Sequence, residues 1–183
     1  YTKAELAQYV DTKRGLKVAI CGQVFDVSSG AEFYAKGPGY GFFAGRDASL
    51  AFATGNFKTN LTDNVSSLAD AQLLDLQNWV DETYHEKYVY EGVVAGYFYD
   101  AKGRPTEDHL RFDERVRSAR EAAARQALDV EKYPDCASRR TQAARSVSCK
   151  KGRVPVRRRT ETGTERCACV LERDEGLGAT YEN

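Results

Sequence analysis

The sequence predicts an α+β domain that is followed by a long helix and a cysteine-bearing tail. Helix-like and strand-like patterns alternate over residues 1–105. The chain has 11 Tyr, 8 Phe and 1 Trp, and only Tyr133 and Tyr181 lie after residue 112. Because aromatic and apolar side chains build cores, the N-terminal part can form a packed domain, whereas the tail has little material for one. We therefore divide the chain into residues 1–104, 105–133 and 134–183.

The first elements follow from local signals. Thr2-Lys3-Ala4-Glu5 has the form of a capping box, which predicts a short helix through Leu6 and Tyr9. Residues 16–21 and 23–27 are rich in β-branched and apolar side chains and predict two strands separated by Gly22. A brief helical turn that carries Phe33 and Tyr34 is expected next.

A glycine-rich loop interrupts the regular elements. Gly37-Pro38-Gly39-Tyr40-Gly41 surrounds one tyrosine with three glycines, so that backbone can approach a neighbouring group closely. Residues 45–54 and 68–84 predict helices, and apolar residues recur at helical spacing in the second one. Residues 87–99 alternate and are rich in Val and Tyr, which predicts a strand.

A turn at Gly103-Arg104-Pro105 precedes the long helix. Thr106 is expected to cap this helix, which extends to about Lys132 before Pro134 ends it. Its predicted apolar stripe is narrow and rich in alanine, which favours close packing on the first domain or on a protein partner. The stripe consists of Leu110, Val116, Ala119, Ala123 and Ala127.

The five cysteines divide into two groups. Cys21 lies in an apolar run and is expected to be a buried free thiol. Cys136, Cys149, Cys167 and Cys169 lie in the tail, where two disulfides would compensate for a missing core and indicate an oxidising compartment. A metal site is the alternative, although Cys-x-Cys is not the usual zinc spacing. Of the three pairings, we set aside the one that joins Cys167 to Cys169, and two remain.

Charge and hydropathy restrict location and partners. The net charge is zero, but residues 139–159 hold nine basic residues and no acidic one. Such a stretch predicts a solvated tail or an arm that docks on a protein, and it lacks the interleaved aromatics of a nucleic-acid binder. No run of about 20 apolar residues predicts a membrane span. The sequence begins with Tyr1 and contains no methionine. We therefore expect either that a targeting or anchoring segment has been removed or that the chain was trimmed.

Two glycosylation sequons, Asn60-Leu61-Thr62 and Asn64-Val65-Ser66, agree with secretion. The expected location is therefore the secretory pathway or the extracellular space. A mitochondrial location is the alternative.

Several motifs together resemble one family. They are Phe33-Tyr34-Ala35-Lys36-Gly37-Pro38-Gly39-Tyr40-Gly41-Phe42-Phe43-Ala44-Gly45-Arg46-Asp47-Ala48-Ser49, the upstream Gly22-Gln23-Val24-Phe25-Asp26-Val27-Ser28, and the downstream Asn78-Trp79 and Lys87-Tyr88. They resemble the signature of the membrane-associated progesterone receptor family, whose members have a cytochrome b5-like haem-binding domain. The resemblance covers residues 1–105, and the tail cysteines resemble the C-terminal pattern of one branch of that family.

The resemblance implies an unusual iron ligand. Cytochrome b5 holds haem between two histidines, one of them in a His-Pro-Gly-Gly loop, whereas His85 and His109 here lack that context. The family pattern instead assigns the metal ligand to Tyr40, and tyrosine is a known haem ligand. The implied cofactor is haem b with one open face.

The family resemblance also implies roles for residues that match other positions of its pattern. Tyr34, Lys87 and Tyr88 match residues that form hydrogen bonds near the tyrosinate or the haem propionates, and Lys87 could also pair with a propionate. The expected pocket walls are Phe42, Phe43, Leu73, Leu74 and Leu76. No nucleophile–base pair or nucleotide loop is present, so an enzyme is not expected.

Two functions from different classes follow. The first is a haem-binding regulatory or carrier protein, which the family resemblance extends to a homodimer through stacked haem faces. The second is an assembly subunit that keeps the scaffold but has lost haem and docks through its long helix and basic tail. A third, an electron-transfer accessory protein, is disfavoured by a low-potential tyrosinate haem.

Overall fold

The computed structural model describes residues 1–35, 39–140, 145–160, 163–172 and 179–180. The chain forms two compact units, Tyr1–Ala119 and Arg120–Asn183. The α+β class is confirmed, with a long helix and two disulfides in the C-terminal region. Of the predicted glycine loop, residues 37 and 38 lie outside the described part of the chain. Within that part, no helix has both the length and the apolar character of a membrane span.

An antiparallel sheet organises the first unit. Its strands are β1 (Val10–Asp11), β2 (Gly15–Ile20), β3 (Gln23–Asp26) and β4 (Val89–Val93), in that order across the sheet. Cys21 and Gly22 join β2 to β3 with φ angles of 51° and 73°, a two-residue hairpin turn of the kind that matches strand twist. The two strands predicted around Gly22 are therefore confirmed, whereas the sequence did not predict β1.

Helix α1 (Lys3–Leu6) starts as expected. The Thr2 hydroxyl accepts the Glu5 amide and the Glu5 carboxylate accepts the Thr2 amide, which confirms the capping box. Leu6 is buried, and the helix ends there because Val10 already enters β1. The expected extension to Tyr9 is therefore wrong.

The next helices lie between β3 and β4 in the chain. They are α2 (Ala31–Tyr34), α3 (Ser49–Thr54), α4 (Asp70–Trp79) and α5 (His85–Lys87), with a π-helical turn over Val80–Tyr84 between the last two. Helix α3 begins four residues later than predicted, because the buried Asp47 carboxylate accepts the Ser49 amide and hydroxyl. Strand β4 is shorter than the predicted 87–99, since the chain turns back on itself from Val94 to Tyr99.

The core of the first unit is aromatic and aliphatic. Its largest fully buried side chains are Tyr84, Phe25, Phe43, Phe98, Leu6, Leu16, Ile20 and Leu73. Cys21 is a buried free thiol, as expected, and burial raises its pKa well above the ordinary value. A thiol in this position stays protonated and packs as a small apolar group.

Helix α6 (Glu107–Lys132) is capped by Thr106, whose hydroxyl accepts the His109 amide. Phe112 and Val116 are buried, whereas Leu110 is 59% exposed and Ala123 and Ala127 are exposed. Of the predicted stripe, Val116 is therefore confirmed and Ala119 is half-buried, whereas the prediction is wrong for Leu110, Ala123 and Ala127. The Phe112 ring packs edge-on against Phe98 at 5.3 Å and buries more apolar surface than an alanine face could, which fixes the rotation of the helix.

The second unit contains strands that the sequence did not predict. Hairpin β5 (Ala137–Arg140) and β6 (Arg145–Ser148) forms one sheet, and β8 (Glu165–Leu171), β7 (Arg153–Arg159) and β9 (Ala179–Thr180) form another in that order. Disulfides join Cys136 to Cys167 and Cys149 to Cys169, which is one of the two pairings left open. They link the hairpin to β8. Val156, Ala168 and Val170 are buried, so the tail has a small core after all.

A charged cluster holds the end of α6 within the second unit. Asp129 accepts hydrogen bonds from Arg166 at 2.6 Å and from Arg158 at 2.8 Å. The Arg158 guanidinium also lies 4.1 Å from the centre of the Tyr133 ring. Hydrogen bonding, chiefly from Arg166, lowers the pKa of Asp129. The carboxylate therefore stays charged at neutral pH and joins strand β7 and strand β8 to the helix.

Replacing Asp129 by Asn removes the charge that both guanidinium groups share. Because the folded-state pKa is lowered, the contribution of Asp129 is present in full above about pH 5 and is lost as the pH falls through the folded-state pKa, below about pH 4. We expect Asp129→Asn to reduce the free energy of local unfolding that exposes the amides of β7 and β8 by about 1–3 kcal/mol at pH 7. Native-state hydrogen exchange measures this, and the difference between the two proteins should shrink in acid.

Glu165→Gln provides the control, because Glu165 lies on β8 and its side chain, among the described residues, forms an exposed ion pair with Arg157 at 3.7 Å. We expect it to change the same free energy of local unfolding by no more than about 0.5 kcal/mol. Equal effects of the two substitutions would contradict the role assigned to Asp129.

Candidate functional site

The first unit contains an apolar cavity of about 310 Å³ beside the expected loop. Residues from α2, the turn after the loop, α3, α4 and the π-helical turn contribute to it. Aromatic rings form most of its wall. The lining consists of Tyr34, Tyr40, Phe43, Phe52, Ala53, Phe57, Asp75, Leu76, Trp79 and Tyr84.

Tyr40 lies at the edge of this cavity, held by its backbone. Its amide donates to the Phe33 carbonyl at 2.7 Å, and its carbonyl accepts the Phe43 amide at 2.9 Å. A Cβ on Gly39 would lie 2.8 Å from the same Phe33 oxygen, so this approach requires glycine. The Tyr40 side chain is 48% exposed, and within the described residues its hydroxyl has no hydrogen-bond partner.

Stacked rings form the floor of the cavity. Phe43 is buried and stacks on Phe52 with ring centres 3.9 Å apart, and the Tyr40 ring stacks on Phe43 at 6.1 Å. Phe57 crosses Phe43 edge-on at 5.6 Å and is itself 39% exposed. A flat apolar group could therefore lie against an aromatic surface with its outer edge towards solvent.

Two further phenols line the inner wall and bind each other. The Tyr34 and Tyr84 hydroxyls are 2.6 Å apart, and both side chains are buried. Burial raises the pKa of Tyr34 and raises that of Tyr84 further, so both remain protonated at neutral pH. Among the described lining residues, Tyr40 is therefore the phenol whose hydroxyl has no hydrogen-bond partner.

Tyr84 was not among the predicted site residues. Its signal was present in the sequence, because Leu73, Leu76, Val80 and Tyr84 follow one another at helical spacing and all four are buried. Trp79, which belongs to the downstream family motif, is 52% exposed and lines the cavity. The aromatic residues of α3 and the following turn, Phe52 and Phe57, were likewise not predicted.

The other predicted site residues lie at varying distances from the cavity. Leu76 lines it, whereas Leu73 is buried in the core beneath it. Phe42 and Leu74 are half-buried and pack against the core outside the lining, and the Phe42 ring lies 4.5 Å from that of Phe43. The structure therefore brings Tyr34, Tyr40, Phe43 and Leu76 together around one space.

Tyr88 and Lys87 lie beyond the inner wall. The Tyr88 ring is 6.0 Å from the ring of Tyr34 and 5.3 Å from that of Tyr84. Lys87 is exposed at the end of α5 and does not line the cavity. Among the described lining residues Asp75 alone carries a charge, so contact of Lys87 with a propionate stays a prediction.

Comparison with known proteins agrees with this geometry. The family described as "Cytochrome b5-like Heme/Steroid binding domain" matches residues 2–98, more than half of the chain. The chain therefore belongs to the family of proteins with a cytochrome b5-like haem/steroid-binding domain.

Named relatives within this family are neuferricins. The chain is 42% identical over 142 residues to a neuferricin homologue of Drosophila melanogaster, covering 74% of this chain and 49% of that protein. It is 38% identical over 173 residues to neuferricin of Xenopus tropicalis, covering 85% of this chain and 61% of that protein. The chain thus spans about half to three fifths of the length of these curated relatives. A solved Arabidopsis thaliana protein with a cytochrome b5-like fold is 32% identical, covers 52% of this chain and 90% of its own, and has a TM-score of 0.47.

The Tyr34–Tyr84 hydrogen bond predicts a specific pattern of stability. Tyr34→Phe leaves the Tyr84 hydroxyl buried without its partner, and Tyr84→Phe leaves that of Tyr34. Each should reduce the free energy of unfolding by about 1–3 kcal/mol, because the remaining hydroxyl loses solvation without compensation. The double variant should cost less than the sum, since two phenyl rings of the same shape leave no orphan. Urea unfolding followed by Trp79 fluorescence tests this, and strictly additive losses would contradict it.

Proposed function

We propose that this protein binds one haem in the aromatic cavity and that the Tyr40 phenolate is its iron ligand. The observation that carries the proposal is an exposed phenol with no hydrogen-bond partner in the described chain, positioned at the edge of an apolar cavity. We further propose that the protein acts by binding, as a haem carrier or haem-dependent regulator, and not by turnover.

The residues present suit a haem better than other apolar ligands. The family description names haem and steroid together, and an apolar aromatic wall could receive either. A phenol able to become an anionic donor favours an iron-bearing ligand, because tyrosinate binds ferric iron. Tyr34 and Tyr84 are less suitable donors because each already binds the other.

The histidines do not compete for this role. His85 Nε2 lies 2.9 Å from Gln23 Oε1, and His109 packs against Phe98 and Tyr99. Neither is a lining residue of the cavity. Ligation by two histidines, as in cytochrome b5, would need both side chains to move, which supports a single tyrosine ligand.

The residues around the cavity would have different roles in holding the haem. Bound haem would supply a ferric centre whose charge stabilises the Tyr40 phenolate and keeps the reduction potential low. Phe43, Phe52 and Leu76 would exclude water from the macrocycle, and Tyr40 would give up its hydroxyl proton to solvent. Tyr34 and Tyr84 would keep their protons and fix the inner wall. Trp79 and Phe57 would cover the outer edge.

Location and partners belong to the same proposal. Two disulfides in the second unit support the secretory pathway or the extracellular space, because such bonds persist in oxidising compartments. Arg139 and Arg140 are exposed on β5 and would suit an acidic protein partner. A homodimer through open haem faces is a further expectation. The competing function is an assembly subunit without haem, for which a mitochondrial location would be the alternative.

The ligand assignment predicts the spectrum of the Tyr40→Phe variant. Wild-type protein reconstituted with ferric haem should show a high-spin Soret band and a phenolate-to-iron charge-transfer band. Tyr40→Phe should lose the charge-transfer band and bind haem at least about tenfold more weakly, or about 1.4 kcal/mol. Absorption titration measures both quantities.

Tyr90→Phe is the matched control, because Tyr90 is 47% exposed, nearly the same as Tyr40, but lies on β4 away from the cavity lining. Its spectrum and affinity should equal those of the wild type. An unchanged spectrum in Tyr40→Phe would refute the ligand assignment. A wild-type protein with no affinity for haem would refute haem binding itself and favour the assembly subunit.

A further inference from the structure

The two glycosylation sequons lie four residues apart but have different environments. Both belong to the segment between α3 and α4, in which buried and exposed residues alternate. Asp63 and Val65 are buried, whereas Asn64 and Ser66 are exposed. Asp63 is held by Lys3 at 2.8 Å and by the Tyr97 amide at 2.9 Å. The backbone is therefore anchored on both sides of Asn64.

Asn64 presents its side-chain nitrogen to solvent. Its Oδ1 accepts the Ser66 backbone amide at 3.0 Å, and the Asn64 backbone amide donates to Thr62 Oγ1 at 3.3 Å. The first of these bonds forms an Asx turn across the sequon and uses only the oxygen of the side-chain amide. Within the described residues, no acceptor engages Nδ2. A group attached to this nitrogen would leave the local hydrogen bonds unchanged.

Asn60 uses its side-chain amide within the fold. Its Nδ2 donates to Thr54 Oγ1 at 3.0 Å, and its Oδ1 accepts the Thr59 hydroxyl at 3.3 Å. The side chain is half-buried, as is Thr62, the third residue of its sequon. The Thr62 carbonyl also accepts the Leu50 amide at 3.0 Å, which ties this sequon to α3. A sugar on Asn60 would crowd the nitrogen that binds Thr54.

We propose that Asn64 is a site of N-linked glycosylation and that Asn60 is not. The donor class is a lipid-linked oligosaccharyl pyrophosphate. A bond forms between Asn64 Nδ2 and the anomeric carbon of the sugar, while the bond from that carbon to the pyrophosphate oxygen breaks. The amide nitrogen loses one proton, and the lipid pyrophosphate leaves with the electron pair. A bulky polar glycan on an exposed asparagine would keep this surface free of packing partners.

The chain offers its own matched comparison. The protein is expressed in animal cells behind a secretion signal, and its intact mass is measured before and after treatment with peptide-N-glycosidase. Wild type and Asn60→Gln should show the same glycan mass, and enzyme treatment should convert Asn64 to Asp in the peptide map. Asn64→Gln should show complete loss of the glycan mass.

Two further variants separate the sequon from folding. Ser66→Ala keeps Asn64 but removes the hydroxyl that the acceptor motif needs, so its glycan should be lost. Ser66→Thr keeps a hydroxyl at this position and therefore keeps the sequon, so it should retain the glycan. Disulfides Cys136–Cys167 and Cys149–Cys169 in the same peptide map verify passage through an oxidising compartment. Disulfide-bonded wild type that carries no glycan, or a glycan on Asn60, would overturn the proposal. Neither outcome bears on haem binding.

Discussion

The hydrogen bond between the Tyr34 and Tyr84 hydroxyls joins the two halves of the site. One phenol comes from α2, before the glycine loop, and the other from the π-helical turn after α4. Both side chains are buried, and in the hydrogen bond between them one hydroxyl donates and the other accepts. This bond fixes the inner wall of the cavity, and burial keeps both phenols protonated. Tyr40 also lines the cavity, and within the described residues its hydroxyl has no hydrogen-bond partner.

The two units are stabilised in different ways. The first buries large aromatic side chains such as Phe25, Phe43 and Tyr84, and its burial of apolar area provides most of the driving force. The second has few large apolar residues and uses two disulfides, which restrict the unfolded chain, together with the arginine cluster around Asp129. A haem site suits the first arrangement, because an aromatic wall is already needed for folding.

Local signals predicted local structure well. The capping box at Thr2 and the two strands on either side of Gly22 depend on neighbours in sequence, and both are present. Strand β4 and the rotation of α6 depend on distant partners, namely β3 and Phe98, and their details were wrong. The strands of the tail were not predicted, because arginines on β7 obscure the alternation that buries Val156. Which cysteines pair could not be deduced, since the choice depends on how the β5–β6 hairpin lies beside β8.

The candidate site was also predictable only where its features depend on residues close together in the sequence. The glycines around Tyr40 indicated a close backbone approach, which the Gly39–Phe33 contact provides. Phe52 and Phe57 reach the cavity through the packing of α3, for which a single sequence carries no signal. Lys87 was assigned by position, and its contact with a haem propionate stays a prediction, because its exposed side chain does not line the cavity.

A crystal structure of the protein loaded with ferric haem would show whether Tyr40 binds the iron. We expect one haem in the aromatic cavity, with iron bonded to Tyr40 Oη and the Tyr34–Tyr84 hydrogen bond intact. Iron bonded to His85 or His109, or haem bound outside the cavity formed by Phe43, Phe52 and Leu76, would contradict this expectation.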